Sequence, residues 1–273
     1  MIKKMRYIGI IFFFCMSFIY TEKITDIVKN KDPIMKSIIK NKNTYKKESV
    51  SALIEDKTLI PGVSGCEIDV DKSYENMKKI NKYNEKLLKY KDLIPEISIN
   101  NIFDKYISSG NKEKRNVSII VYIKDELSKT NLTKNIKLNI FLDGSLLNEK
   151  KEELKNVRVY NGGINYNYDD NSIKSMNKII EENYNKSRYC INKNMDDSSL
   201  QICDKNKMHT IYPKLIVNNT NTYNIKTQIE NGSIIYFDEK SITKINEMAN
   251  YIIKKGYDIV YLDELLDERG CKI

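Results

Sequence analysis

The stretch from Ile136 to Tyr168 constrains the fold most, because it places two strand-like runs on either side of a short helical segment. Apolar residues alternate from Ile136 to Leu142, and Asp143-Gly144 ends that run as a β-strand ends. A helical segment from roughly Ser145 to Leu154 leads to a second strand at 157–160. So short a connection fits a βαβ crossover. The sequence therefore predicts an α/β fold with a polar loop after the second strand, at the edge where such folds place their sites.

Strands and helices alternate along the rest of the chain, which indicates an α/β sheet or barrel. The run from Val117 to Ile123 is long, apolar and β-branched, as in a central buried strand. A helix is predicted from Ser73, its N-cap, to Leu93. The other predicted elements are helices at 33–40, 100–107, 172–184 and 242–255, strands at 232–237 and 258–262, and a strand at 208–217 broken at Pro213.

The amino terminus predicts a membrane location. Three cations, Lys3, Lys4 and Arg6, precede an uncharged apolar run from Tyr7 to Tyr20. That run reaches roughly 21 Å as a helix, against the ~30 Å hydrocarbon core, so both a signal peptide and a signal anchor fit. The only small-residue pattern suited to cleavage, Cys15-Met16-Ser17, lies inside the run, which favours an uncleaved anchor.

With the cations inside, everything after Thr21 lies outside the cytoplasm. We therefore predict a single-pass protein of the cell membrane with an extracytoplasmic carboxyl-terminal domain. Its expected segments are an anchor (1–21), a poorly ordered stalk (22–58), a helical extension (59–110) and the main domain (111–273). The net charge of +9 is spread along the chain without a dense block, which favours an anionic surface or polymer and disfavours a nucleic-acid groove.

Four cysteines follow the anchor, an even number in a compartment that permits disulfides. Cys190 and Cys203 close a short polar loop, and linking them contributes ~3 kcal/mol by the loop-entropy model. Cys66 and Cys271 form the remaining pair by elimination. A zinc site of Cys190, Cys203 and His209 is the alternative, but no CxxC spacing supports it.

Four segments, 116–123, 136–144, 232–237 and 250–266, together resemble the polysaccharide deacetylase family, the NodB-type domain of carbohydrate esterase family four. The resemblance covers roughly Leu59 to Glu268, and it implies a distorted, incomplete (β/α) barrel with an amino-terminal helical extension. Residues 59–79 look like the extension of a membrane-anchored bacterial branch of that family. The segments that resemble family strands are 116–123, 136–144 and 232–237, and 250–266 is similar to the closing helix and strand.

Active members of the family hold a divalent metal with one Asp and two His, and use a further Asp as base and a further His as acid. Their TFDDG motif is matched by residues 121–125, which retains only Asp125. The HxxxH motif should fall in Gly163–Tyr168, where no histidine occurs. Residues 188–190 stand where the RxPY motif would, and Phe237 takes the place of the late catalytic His.

The histidine count limits the chemistry further, because the family mechanism uses three imidazoles and this chain has one, His209. The chain therefore resembles a hydrolase of non-peptide C–N bonds, but we predict that it has neither the metal site of that family nor a required cofactor. Asp125 and His209 are the remaining catalytic candidates.

The first functional hypothesis is a catalytically degenerate protein that binds cell-wall glycan or another envelope polysaccharide. Tyrosines around the former metal loop would stack on sugar faces and asparagines would donate amide hydrogen bonds, although each tyrosine could instead pack the loop. The absence of tryptophan weakens a lectin role. The residues concerned are Tyr160, Tyr166 and Tyr168 with Asn161, Asn165 and Asn167.

Two alternatives stay open. An active glycan N-deacetylase would need a rebuilt, oxygen-rich site for Mg²⁺ or Mn²⁺, drawn from Asp125, Asp143, Asp169, Asp170, His209 and Asp238. A structural partner of a cell-envelope complex would use the stalk and the predicted 73–93 helix.

Overall fold

The computed structural model describes residues 27–124, 136–143, Leu146, 157–162 and 170–271. The helices are α1 (Pro33–Asn41), α2 (Val70–Lys78), α3 (Asp170–Asn183), α4 (Asp197–Lys205), α5 (Thr222–Gln228), α6 (Ile245–Lys254) and α7 (Leu262–Leu265). The strands are β1 (Leu53–Glu55), β2 (Thr58–Ile60), β3 (Gly65–Ile68), β4 (Tyr90–Leu93), β5 (Tyr106–Ile107), β6 (Asn116–Ile123), β7 (Leu138–Leu142), β8 (Arg158–Asn161), β9 (Tyr189–Ile191), β10 (His209–Ile211), β11 (Leu215–Val217), β12 (Ile234–Phe237) and β13 (Asp258–Ile259).

The chain forms two compact units that alternate along the sequence. The described part of the smaller unit consists of residues 27–49, 64–93 and 270–271, and the larger unit is formed by Val50–Val63 and Ile94–Arg269. These units cut across the predicted segments, because residues of the expected stalk and extension contribute to both. The predicted anchor, residues 1–21, lies outside the described residues, and none of the helices that the structure describes has the length and apolarity to cross a membrane.

The helix predicted at 33–40 is confirmed as α1, but it packs into the smaller unit and is not part of a poorly ordered stalk. Helix α1 starts at Asp32, whose carboxylate accepts a hydrogen bond from the Ile34 N–H (2.9 Å), with proline in the first helical position. The apolar face of α1 buries Ile38 against Ile68 of β3 and Met77 of α2. Because this face is buried, the α1 part of residues 22–58 is not a poorly ordered stalk.

The helical extension predicted over residues 59–110 is also wrong in part. Helix α2 ends at Lys78 instead of Leu93, and β4 pairs antiparallel with β3. Its N-cap is Asp69, which accepts from the Lys72 N–H, whereas the Ser73 hydroxyl accepts from the backbone N–H of Lys89. The predicted 100–107 helix is a short 3₁₀ turn followed by strand β5. Pairing with distant strands has overridden helix-like spacing in both places.

Two open sheets form the larger unit. The central sheet has the order β11-β12-β6-β7-β8 with all neighbours parallel, and β13 pairs with the start of β6. The second sheet has the order β1-β2-β5-β10-β9. The rings of Tyr160 in β8 and Tyr189 in β9 are 5.2 Å apart, but no ladder joins these strands in the described part of the chain. The predicted α/β class and incomplete barrel are therefore confirmed.

Strand periodicity divides the core into an outer and an inner cluster. On β6, Ile119 and Val121 face outward and pack with Met248 and Ile252 of α6. Ile120 and Tyr122 face inward, into a buried cluster to which strands of both sheets contribute. Strand β6 is buried on both faces, as its continuous apolar sequence predicts.

Candidate functional site

The carboxyl edge of the central sheet is the candidate site, because parallel strands bring their carboxyl ends together there. Phe237 pairs with Val121, and Leu142 pairs with Asn161, so β12, β6, β7 and β8 end side by side. Six residues predicted for this edge lie outside the described residues: Asp125, Asn165, Tyr166, Asn167, Tyr168 and Asp169. Their roles stay predictions.

Aromatic side chains fill the described interior beneath this edge. Tyr122 of β6 and Tyr236 of β12 both face inward and are buried. The Lys193 ammonium lies 4.9 Å from the centroid of the Tyr236 ring, a cation–π contact. No sequence motif identifies these three residues as part of the site, although the alternation of side chains along β6 and β12 places the two tyrosines on one face.

Gly162 follows β8 and packs closely against this aromatic interior. Its N–H donates to the Leu142 carbonyl (2.8 Å). A Cβ at this position would lie 2.8 Å from the Tyr122 ring and 2.9 Å from the Leu142 carbonyl oxygen. Only glycine allows so close an approach.

Phe237, which the resemblance sets in the place of the late catalytic His, faces away from the inner cluster. It is fully buried in the outer cluster, on the helix-covered face, because side chains alternate along β12 and Tyr236 takes the inner face. Asp238 is the residue that ends the strand. Its carboxylate accepts hydrogen bonds from the N–H (3.0 Å) and hydroxyl (2.9 Å) of Ser241, which close a turn.

Asp170 is engaged in holding α3 against α4. Its carboxylate accepts from the Asn206 amide (2.7 Å) and lies 3.0 Å from the ammonium groups of both Lys174 and Lys205. These contacts, the Asn206 hydrogen bond first, hold the pKa of Asp170 far below its usual range. The carboxylate therefore has a structural role in place of the metal-binding role considered for it.

His209 lies at the amino end of β10, not among the strand ends of the candidate edge. Its ring stacks on Phe103 with 4.6 Å between centroids and hydrogen-bonds the backbone of Ile102. Nδ1 has no hydrogen-bond partner in the described chain. Burial lowers the pKa of the imidazole to about 4, so the ring is neutral near pH 7.

The described residues contain no cluster of three or more His, Cys, Asp or Glu side chains that could hold a metal ion. A disulfide joins Cys190 to Cys203, so the zinc alternative is excluded. A second disulfide joins Cys66 to Cys271. Asp143 is buried at the end of β7, but neither Asp170 nor His209 joins it in such a cluster.

Tyr160 does not offer a stacking face to a sugar. The side chain is fully buried, with its ring 5.2 Å from those of Phe141 and Tyr189, and its hydroxyl donates to Asp263 (3.3 Å). Burial, reinforced by Asp263, raises the pKa of Tyr160 far above its ordinary value. Asn161 is also buried, and its amide donates to Asn177 (3.1 Å). Both were wrong as glycan contacts, because the two faces of β8 are covered.

Comparison with solved structures places this architecture among known folds. Wild-type BA3943, a CE4 family pseudoenzyme from Bacillus anthracis, superposes with a TM-score of 0.60 at 21% identity, over 88% of this chain and 96% of that chain. This chain has the fold of a family 4 carbohydrate esterase. A BA3943 mutant with restored enzymatic activity superposes equally well, with a TM-score of 0.60 over 86% of this chain and 98% of that one.

Sequence comparison gives less information about this chain than comparison of the folds does. No family model matches the chain. The uncharacterized protein YlxY of Bacillus subtilis is 23% identical over 167 residues, which are 57% of this chain and 52% of that protein. The match thus spans about half the length of the curated relative. The superpositions show the fold of a family 4 carbohydrate esterase, and the low identities show that this chain is a divergent example of that fold.

Proposed function

We propose that the chain is a membrane-anchored extracytoplasmic protein that binds cell-wall glycan through a deacetylase-like domain and does not hydrolyse it. The observation that carries the proposal is the position of its single imidazole. His209 is buried against Phe103 at the amino end of its strand, so it cannot serve as a metal ligand or acid at the opposite end of the strands.

The pseudoenzyme among the solved structures supports this reading. Wild-type BA3943 has the same fold and is a pseudoenzyme, so the fold persists in a protein that has lost its activity. Tyr122 and Tyr236 fill the described interior beneath the edge with side chains that ligate metals poorly. This packing also supports a loss of catalytic activity in this chain.

Glycan contact is assigned to the predicted glycan loop, Gly163–Tyr168. Tyr166 and Tyr168 supply the stacking rings and Asn165 supplies an amide, while the buried Tyr160 is excluded. The apolar run from Tyr7 to Tyr20 would hold the domain at the membrane, close to the wall polymer.

Binding is tested by co-sedimentation of the detergent-solubilised full chain with insoluble peptidoglycan. We expect the wild type to sediment with the polymer and the Tyr166→Ala/Tyr168→Ala variant to bind about tenfold more weakly, because two stacking contacts are removed. Tyr223→Ala is the matched control, since Tyr223 is 77% exposed on α5. Equal binding by both variants would contradict the assignment to this loop.

Catalytic loss is tested separately by measuring acetate release from acetylated chitooligosaccharide and peptidoglycan in the presence of Zn²⁺, Mn²⁺ or Mg²⁺. We expect no release above the rate without protein. Metal-dependent release that a chelator abolishes would instead establish the N-deacetylase with a rebuilt site.

A further inference from the structure

A cavity of about 220 Å³ lies in the larger unit where its two sheets part. β10 pairs with β5 in the second sheet, whereas β11 pairs with β12 in the central sheet. The chain changes sheets over residues 212–214, and Pro213 has no N–H with which to continue either ladder. The cavity opens between residues that follow β5 and residues that precede β12.

Ser108 gives this cavity an unpartnered donor. The residue follows β5, is 3% exposed and lines the cavity. Its hydroxyl has no hydrogen-bond partner among the described residues. Since buried polar atoms in folded proteins almost always have a partner, the hydroxyl marks the position of a polar atom that belongs to a bound molecule or to water.

The charges around the cavity favour an anion. The ammonium group of Lys112 pairs with Glu230 at 3.0 Å, while Lys214 makes no ion pair with any described residue. Two ammonium groups and one carboxylate leave one positive charge on the lining. With the Gln228 amide and the Ser108 hydroxyl, the lining presents donors of three kinds, which together suit the oxygens of a phosphate or carboxylate.

We propose that this cavity binds a small molecule that carries a phosphate or carboxylate group on a body no larger than one sugar ring. Its volume corresponds to roughly seven waters at about 30 Å³ each, and it is smaller than the ~300 Å³ at which pockets for drug-sized ligands begin. None of its lining residues belongs to the predicted glycan loop, so either proposal can be disproved without affecting the other.

Calorimetric titration of the full chain at low ionic strength tests the proposal with four probes: inorganic phosphate, glucose 6-phosphate, glucuronate and uncharged glucose. We expect saturable binding of one or both acidic sugars and no binding of glucose. The acidic sugar that binds more tightly shows whether the cavity prefers a phosphate or a carboxylate. Lys214→Gln should weaken that binding at least about tenfold, because a charge-assisted hydrogen bond is lost. Lys254→Gln makes the same charge change at an exposed site on α6 and should bind as the wild type does.

Ser108→Ala separates ligand recognition from structural support. Because the hydroxyl has no partner in the free chain, its removal should leave the unfolding midpoint unchanged or raise it, while acidic-sugar binding weakens. A serine with only a structural role would lower the midpoint and leave binding intact. The proposal is overturned if neither acidic sugar binds, if Lys214→Gln and Lys254→Gln behave alike, or if Ser108→Ala binds like the wild type, which would assign the cavity to water alone.

Discussion

The environment of His209 disfavours a charge on its ring. Burial is the main cause of its lowered pKa, and the nearby Arg188 acts in the same direction, while the hydrogen bond to the Ile102 backbone opposes them. The folded pKa of about 4 lies below the ordinary value of 6.5. As the pH falls through this interval, the unfolded chain takes up the proton first, so the contribution of His209 to stability is complete above pH 6.5 and is lost towards pH 4.

We therefore expect roughly 3 kcal/mol of pH-dependent stability from His209 between pH 6.5 and 4. His209→Phe should keep the stacking on Phe103 and remove this dependence. Urea unfolding of the wild type and the variant at pH 7 and pH 4.5 measures it, and the carboxylates common to both proteins cancel in the difference. Parallel stability profiles for the two proteins would show that folding does not lower the pKa of the His209 imidazole.

Glu268 has a structural role, although a buried carboxylate can also serve in catalysis. Its buried carboxylate accepts from the N–H groups of Gly62 (2.8 Å) and Ile99 (3.2 Å) and from the hydroxyl of Ser98. It therefore joins two segments that have no secondary-structure ladder at those positions. Nothing in the local sequence marks this role, because the donors lie about 170 and 206 residues away along the chain.

Glu268→Ala should destabilise the larger unit by roughly 3 kcal/mol, because three buried donors lose their acceptor. Glu268→Gln keeps one acceptor oxygen and should lose less. Glu182→Ala, an exposed carboxylate on α3, is the control and should change the unfolding free energy by less than about 0.5 kcal/mol. Equal effects of Glu268→Ala and Glu182→Ala in urea unfolding would exclude a stabilising role for the Glu268 hydrogen bonds.

Elements defined by local pattern were predicted well. Strand β6 and helix α6 lie where their apolar periodicity placed them, and Gly256 follows α6 with a φ of +78° as the C′ glycine. The strand predicted over 208–217 breaks at Pro213 as expected, but its halves enter different sheets. That division depends on partners far away in sequence, β5 and β12, which no local pattern identifies.

At the candidate site, local pattern does not show which strand faces are accessible. Side chains alternate along β12, so Phe237, which the resemblance sets in the place of the late catalytic His, faces outward while Tyr236 faces inward. Tyr160 does face inward, but the interior there is closed by Phe141 and Tyr189, which belong to other strands. The scarcity of imidazoles, by contrast, follows from counting and needs no structure.

At the scale of the whole molecule, the two disulfides constrain very different lengths of chain. The Cys190–Cys203 bond closes a separation of 13 residues around α4, whereas the Cys66–Cys271 bond closes one of 205 residues. The latter fixes the carboxyl end to β3 of the smaller unit, where Asp92 also accepts from the N–H groups of Gly270 and Cys271. In the loop-entropy model the longer closure restricts the unfolded chain more.

Cys66→Ser/Cys271→Ser should therefore lower the unfolding free energy by about 5 kcal/mol, and Cys190→Ser/Cys203→Ser by about 3 kcal/mol. Equilibrium urea unfolding of the two double variants beside the wild type measures the order, with the midpoint taken at matched protein concentration. The reverse order would mean that the contacts of Asp92 hold the carboxyl end without the covalent bond, and that the buried Cys190–Cys203 pair stabilises α4 through packing that its serines cannot replace.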